Sequence, residues 1–273
     1  MNVPTVTLND GNTMPQLGFG VWQVSGEEIV PAIQTAIEAG YRSIDTAAAY
    51  GNQPGVGEAI RTSGVPREEI FLTTKLWSDK HANAMAGVDE SLAQMGMEYL
   101  DLYLIHWPRP KQGHYRQAWQ GLVELQKAGK SRSIGVSNFT IKHLTEIIED
   151  TGVVPAVNQI ELHPNFQQRE LRAFHDQHGI RTESWSPLGQ GGELLKNSVL
   201  AEIAAKHSKT PAQVVLRWHL DLDFIVIPKS VTPARIRENL DVFDFKLDAD
   251  DMDRIEGLET GTRLGGDPET ADW

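Results

Sequence analysis

The sequence predicts one α/β domain, a closed (β/α)8 or TIM barrel that spans residues 1–273. Short runs of β-forming residues recur along the chain, and amphipathic helical segments separate them. Strands connected in this way pair in parallel. No proline- or serine-rich linker and no change in composition divides the chain. A chain of 273 residues has the usual length of one such barrel.

Eight strands are predicted, and several of them are almost wholly apolar. Apolar strands of this kind are typical of a parallel sheet that is covered on both faces. The predicted strands are residues 17–20, 43–45, 71–75, 100–105, 131–136, 156–161, 181–185 and 224–228.

Helices are predicted between these strands. Residues 28–39 place Ile29, Ile33 and Ile37 on one face. Similar patterns occupy 119–128 and 141–149, and residues 194–220 should form two helices, the second of which begins at Pro211.

Additional elements are predicted at both ends of the barrel. The segment VTLNDGNTMP should form a β-hairpin with an Asp-Gly turn before the first barrel strand. Residues 248–256 should form an extra C-terminal helix.

The composition excludes several classes of function. A net charge of −12 argues against a nucleic-acid partner, which would require a basic face. The absence of cysteine excludes disulfides, thiolate chemistry and cysteine-ligated zinc, and no HExxH motif is present. We therefore expect no metal. The N-terminus lacks the pattern of a signal peptide, and no apolar run approaches ~18 residues. We expect a cytoplasmic monomer with no membrane partner.

Polar residues end three consecutive predicted strands. Asp45 ends the second strand, Lys75 the third, and His106 follows the fourth. The active site of such a barrel lies at the C-terminal ends of its strands, so these side chains should share one rim. Tyr50 lies in the loop after the second strand and should reach the same rim.

These four residues suit acid catalysis on a carbonyl group. A lysine ammonium near the Tyr50 hydroxyl would favour the phenolate and lower its pKa. Asp45 would hold Lys75 in place, and a neutral His106 would orient a substrate oxygen. Tyr50 could then protonate that oxygen as a hydride reaches the carbon. Taken singly, each residue also has an ordinary explanation: a strand cap, a packing aromatic, a solvated lysine or a core histidine.

Several motifs resemble those of the aldo-keto reductases in order and spacing over nearly the whole chain. They are GYRSIDTAAAYGN, TTKLW, DLYLIHWP, SIGVSNF, NQIELHP and IPKSVTPARIREN. The resemblance is greatest to the bacterial branch that includes 2,5-diketo-D-gluconate reductases. It implies NADPH-dependent carbonyl reduction, with Asp45, Tyr50, Lys75 and His106 as the catalytic tetrad.

The resemblance also implies a cofactor site. Within it, Ser137, Asn138 and Gln159 would hold the nicotinamide carboxamide, and Trp185 would stack on the ring. Many members have tyrosine at that position, histidine in place of Ser43 and glutamate in place of Gln53. The expected cofactor-binding residues are Ser137, Asn138, Gln159, Trp185, Ser186 and Leu188, together with Lys229, Ser230, Val231, Arg235, Glu238 and Asn239, which would bind the adenosine end and its 2′-phosphate.

The residues themselves favour a phosphate site outside the dinucleotide fingerprint. That fingerprint, GxGxxG, is absent, and the nearest approach, GQGGEL, fails at its last position. The segment KSVTPARIREN instead combines Lys229 and Arg235 with the hydroxyls of Ser230 and Thr232 before a helix. Cations, hydroxyls and a helix N-terminus can bind phosphate. The alternative is a solvated basic start of a helix.

Three tryptophans are expected around the substrate. Trp22 follows the first strand, Trp77 follows Lys75, and Trp107 follows His106. With Tyr50 and His106 they would form an aromatic-walled cleft, although ordinary rim packing would also explain them. The loop 186–197 and the tail after residue 257 are short. Few groups would therefore hold a particular substrate, and we expect a preference for aldehydes, dicarbonyls and keto sugar acids.

Two functions remain open at this point. One is an NADPH-dependent carbonyl reductase, and the other is a cofactor-binding sensor with little turnover, as in the potassium-channel β subunits that share the fold. Fold alone does not separate them. The complete tetrad favours the enzyme.

Overall fold

Eight parallel strands form a closed barrel in the computed structural model of the chain. Neighbouring strands follow chain order, and a bridge between Leu17 and Val226 joins the last strand to the first. The Gly18 N–H donates to the Val226 carbonyl at 2.9 Å across this seam. The structure describes residues 3–271, so the two positions at each end of the expected domain lie outside the described residues.

All eight predicted strands are present, and their bounds differ most at the seam. There the regular ladder is short, because Leu17 makes only an isolated bridge. The first and last barrel strands are therefore shorter than the predicted 17–20 and 224–228. The strands are β1 (Thr5–Thr7) and β2 (Thr13–Pro15) in the hairpin, then β3 (Phe19–Gly20), β4 (Ser43–Asp45), β5 (Phe71–Leu76), β6 (Leu100–Ile105), β7 (Ser131–Ser137), β8 (Val157–Glu161), β9 (Arg181–Trp185) and β10 (Ile225–Val226).

Helices cover the outer face of the barrel. Ile29, Ile33 and Ile37 are buried along one helix, as their spacing predicts. A helix does begin at Pro211, and the C-terminal helix is present. The helices are α1 (Ile29–Ala39), α2 (Gln53–Thr62), α3 (Ala84–Met95), α4 (Tyr115–Lys127), α5 (Ile141–Thr151), α6 (Arg169–His178), α7 (Ser198–His207), α8 (Pro211–Asp221), α9 (Pro233–Leu240) and α10 (Ala249–Glu256).

The N-terminal hairpin closes one end of the barrel. β1 pairs antiparallel with β2, and Gly11 in the Asp-Gly turn takes a φ of +88°. Val6, Leu8 and Met14 are buried against the side chains of Phe71, Leu102, Leu104, Ala156, Val157 and Ile225. Burial of a side chain the size of Met14 stabilises the fold by roughly 1.5–3 kcal/mol. The opposite rim is left open.

Within residues 3–271, none of the helices combines the length and the hydrophobicity that crossing a bilayer requires.

Candidate active site

The C-terminal rim of the barrel surrounds a cleft of about 1100 Å³. Every predicted site residue except Lys75 lines this cleft. Lys75 is fully buried next to it. The predicted substrate residues in the wall are Trp22, Tyr50, Trp77, His106 and Trp107; the predicted cofactor residues in the wall are Ser137, Asn138, Gln159, Trp185, Ser186, Leu188, Lys229, Ser230, Val231, Arg235, Glu238 and Asn239.

Asn52 holds the loop that carries Tyr50. Its side-chain amide donates to the carbonyls of Val21 and Val24 at 2.9 and 2.8 Å, and its Oδ1 accepts from the Thr46 hydroxyl at 2.7 Å. The loop after β4 is thereby tied to the loop after β3. Tyr50 ends a short 3-10 turn, half-buried at the edge of the cleft.

Asp45 and Lys75 form a buried ion pair. The Lys75 Nζ lies 2.6 Å from Asp45 Oδ1 and donates to the Thr46 carbonyl at 2.9 Å. It also lies 5.2 Å from the centre of the Tyr50 ring. Burial opposes the charged form of Lys75, but Asp45, Tyr50 and Glu183 together outweigh it and raise the lysine pKa. Lys75 is therefore an ammonium at neutral pH. Because charges buried without partners are costly, loss of either partner would destabilise the other.

The pKa of Tyr50 shifts in the direction opposite to the one expected from sequence. Burial raises the pKa of Tyr50, and the charges of Asp45 and Glu183 add to this, whereas Lys75 lowers it without offsetting the rise. The expectation considered the lysine alone. Tyr50 is accordingly a neutral phenol at neutral pH, which is the form that can donate a proton.

His106 lies between Tyr50 and Trp77. Its ring centre is 5.6 Å from that of Tyr50 and 5.2 Å from that of Trp77, with both pairs edge-on. Burial, followed by the charge of Lys75, holds the pKa of His106 well below its ordinary value. The imidazole is therefore neutral, in line with the expectation from sequence, and can orient an oxygen atom without carrying charge.

The predicted nicotinamide-binding residues are tied to one another. Asn138 donates to the Ser137 hydroxyl at 3.0 Å, and its Oδ1 accepts from the Trp185 indole at 2.8 Å. The Gln159 Nε2 donates to Asp45 Oδ2 and to Glu183 Oε2, both at 2.9 Å. The Asp45 carboxylate can only accept hydrogen bonds, so the nitrogen end of this amide must face it. Gln159 lines the cleft, and its carbonyl oxygen receives no hydrogen bond within residues 3–271.

Glu183 is a residue of this cluster that the sequence prediction missed. It is fully buried in β9, and in this strand, RTESW, it is the one acidic residue. That placement is a signal that sequence reading could have used, because a carboxyl group seldom lies in a buried strand without a partner.

The C-terminal tail is the second feature that was missed. The backbone N–H groups of Leu264 and Gly265 donate to the Glu161 carboxylate at 2.5 and 2.9 Å, and Leu264, Gly265 and Gly266 line the cleft. A Cβ on Gly265 would lie 2.4 Å from the Trp185 ring. The tail, although short, thus forms part of the cleft wall, and only glycine fits beside that tryptophan.

The basic segment of the cleft, residues 229–239, is built differently. Lys229 and Arg235 are exposed, and neither forms a hydrogen bond or an ion pair within residues 3–271. The Ser230 hydroxyl accepts from the Thr232 N–H at 3.1 Å, and helix α9 begins directly afterwards. Two cations that have no partner in the described part of an acidic protein can accommodate an anion.

Comparisons with known proteins agree on one family. The model of the aldo/keto reductase family matches residues 16–260. The chain is 56% identical over 269 residues to a methylglyoxal reductase, DkgA, of Escherichia coli, covering 98% of each chain. A crystal structure of a Gox0644 mutant in complex with NADPH has a TM-score of 0.95 at 52% identity, covering 99% of each chain. An aldo/keto reductase structure from Brucella melitensis has a TM-score of 0.91 at 53% identity, covering 94% of this chain and 100% of that one.

These matches confirm the resemblance to this family that the motifs indicate, and they confirm the TIM barrel. They also confirm the expected class, an oxidoreductase that uses NADP(H). With a matching family model over most of its length and relatives at more than half identity, the chain belongs to the aldo/keto reductase family.

Proposed function

We propose that this protein reduces aldehydes and activated ketones to alcohols with NADPH, and that Tyr50 donates the proton to the carbonyl oxygen. The observation that carries the proposal is the meeting of Tyr50 and His106 in one cleft with Gln159, Trp185 and Arg235. A proton donor, a neutral orienting group and groups suited to a nicotinamide cofactor thus share a single space.

The chain's own residues account for the proton. When bound, NADPH supplies the hydride that adds to the carbonyl carbon. Tyr50 transfers its phenolic proton to the carbonyl oxygen, and His106 orients that oxygen by a hydrogen bond. The tyrosinate that remains is stabilised by the Lys75 ammonium, which Asp45 holds in place. The reaction is balanced, because one hydride and one proton convert C=O into CH–OH.

The cofactor fits the residues that the sequence indicates. In the described part of the chain no group donates to the Gln159 carbonyl oxygen, so this oxygen can accept from a carboxamide N–H. Trp185 offers an aromatic face held by Asn138. Lys229 and Arg235, which have no ionic partner within residues 3–271, offer cations for phosphate.

The walls of the cleft support the proposed substrate class. Trp22, Trp77 and Trp107 supply aromatic surface beside the proton donor, and Leu264 adds apolar surface from the tail. Such walls exclude water and strengthen hydrogen bonds to a developing oxyanion. They offer few polar groups for a particular substrate, so intrinsic reactivity should matter. The named methylglyoxal reductase relatives support small dicarbonyls as substrates.

The test is a panel of carbonyl compounds with NADPH, followed by loss of the absorbance of the reduced nicotinamide. We expect kcat/KM to be greater for aldehydes, methylglyoxal and diketo sugar acids than for matched simple ketones. A clear preference for an unactivated ketone would contradict this substrate class. Tight NADPH binding without turnover of any compound would instead favour the cofactor-binding sensor.

We also propose that the chain is one domain, monomeric and cytoplasmic. Light scattering after size exclusion and fractionation of cells test the last two properties. A single cooperative unfolding transition is expected for one domain.

A further inference from the structure

A second buried carboxyl group lies beside the candidate catalytic cluster. Glu183 pairs in register with Gln159 on β8 and with Ile225 on β10. One amide group, the Nε2 of Gln159, donates to Glu183 Oε2 and to Asp45 Oδ2 at 2.9 Å each. The other oxygen, Glu183 Oε1, is buried and receives no hydrogen bond from the part of the chain that the structure describes. If Glu183 were ionised, only one of its two carboxylate oxygens would accept a hydrogen bond from the described residues.

Charged groups act on Glu183 from β4 and β5, two strands that do not adjoin β9 in the sheet. Asp45 on β4 opposes its ionisation and Lys75 on β5 favours it. Burial, followed by the charge of Asp45, raises the pKa of Glu183 to about 8. The hydrogen bond from Gln159 and the charge of Lys75 lower this pKa but do not offset the rise. At neutral pH Glu183 is largely protonated and neutral, so the positive charge of Lys75 is balanced by a single carboxylate, that of Asp45. Ionisation of Glu183 would add a second negative charge, which raises the pKa of Tyr50.

We propose, on the basis of the function proposed above, that Glu183 is a positioning residue that acts on the reaction through its neighbours. In its protonated form it anchors the Gln159 amide, so that the carbonyl oxygen of Gln159 faces the cofactor. In its ionised form it makes Tyr50 a weaker acid and slows reduction. No contact of Glu183 with the substrate or cofactor is required.

The proposal predicts the pH dependence of hydride transfer. In single-turnover reduction of methylglyoxal at saturating NADPH, the wild-type rate should fall as pH rises through about 8. Tyr50 itself does not explain a fall there, because its pKa is raised above the ordinary value near ~10. Glu183→Gln keeps the shape and the hydrogen bond but cannot ionise. The variant should therefore lose the alkaline fall, so that its own rate is the same on either side of that pH.

Glu183→Ala tests the anchoring of Gln159. Loss of one hydrogen-bond acceptor should weaken NADPH binding about three- to tenfold, measured by quenching of tryptophan fluorescence. Ser184→Ala is the matched control: Ser184 lies on the same strand, is equally buried, and bonds the Leu162 carbonyl at 2.6 Å on the outer side. It should lower Tm without changing the pH profile or the NADPH affinity.

Each result of these experiments either supports or contradicts the proposal. The proposal is wrong if Glu183→Gln retains the alkaline fall, if the wild type shows no such fall, or if Glu183→Ala binds NADPH as the wild type does. If Ser184→Ala changed the pH profile and the NADPH affinity equally, Glu183 would contribute only to packing, and the proposal would also be wrong. If the wild type reduces no carbonyl compound, the proposed function fails, and the NADPH affinities of Glu183→Ala and Ser184→Ala still decide the anchoring role.

Discussion

Two regions of the same cleft hold their charges in opposite ways. In the rim cluster (Asp45, Tyr50, Lys75 and His106), the lysine is fully buried and already paired with its aspartate at 2.6 Å. In the basic segment (residues 229–239), Lys229 and Arg235 are exposed and without an ionic partner in the described chain. One region is organised before any ligand arrives, and the other presents charge to solvent.

The difference indicates that the two regions have different roles. Buried, paired groups keep their geometry during a reaction and need little reorganisation in the transition state. Exposed, unpaired cations contribute mainly when an anion binds them. Substitutions in the rim cluster should therefore change the rate of the chemical step, whereas substitutions in the basic segment should change cofactor affinity. The following predictions test that separation, from the largest expected effect to the smallest.

Tyr50→Phe should reduce turnover about 10²–10⁴-fold, because the ring stays and only the proton donor is lost. NADPH affinity should be nearly unchanged. Single-turnover rates and NADPH titration measure both. Tyr99→Phe, a tyrosine that packs against Arg67 and Arg132, is the control and should behave as the wild type. If Tyr50→Phe keeps more than about a tenth of the wild-type rate, Tyr50 is not the acid.

Lys75→Met should reduce turnover nearly as much as Tyr50→Phe does, and Asp45→Asn should reduce it somewhat less. The two substitutions should move the alkaline limb of the pH–rate profile in opposite directions. Lys75 lowers the pKa of Tyr50 and of Glu183, so its loss moves the limb to higher pH. Asp45 raises both pKa values, so its loss moves the limb to lower pH. A limb that stays in place in both variants would show that these charges are not coupled to the group that titrates in this limb.

Arg235→Ala should weaken NADPH binding about 10–100-fold, because a charge-assisted hydrogen bond contributes roughly 1.5–3 kcal/mol. NADH, which lacks the 2′-phosphate, should bind almost as before. Arg237→Ala is the matched control: Arg237 is exposed on the same helix but does not line the cleft. Equal losses for NADPH and NADH would mean that Arg235 does not contact that phosphate.

Trp22→Ala should raise KM for aromatic aldehydes about two- to tenfold and change that for methylglyoxal little. Trp22 is 44% exposed at the mouth of the cleft, so a small substrate can bind without reaching it. A matched series of aldehydes measures the effect. Should both KM values rise equally, Trp22 supports the rim and does not contact the substrate.

Most of the barrel and the cleft residues could be predicted from local patterns. The apolar runs and helical spacings determine which segments become strands and helices. Asp45, Lys75 and His106 could be placed on one rim because parallel strands end at the same edge. The tail could not be placed, because the Glu161–Leu264 hydrogen bond joins residues 103 positions apart. No local pattern encodes such a contact.

The sequence by itself determined the family, the order of the elements and the residue types of the candidate site, since these depend on motifs that lie within single segments. Only the tertiary structure decided the charge balance of that site. The pKa directions of Tyr50 and Glu183 depend on burial and on charges that β4, β5 and β9 bring together. Electrostatic energies depend on distance and on exclusion of water, and both exist only once the barrel has closed.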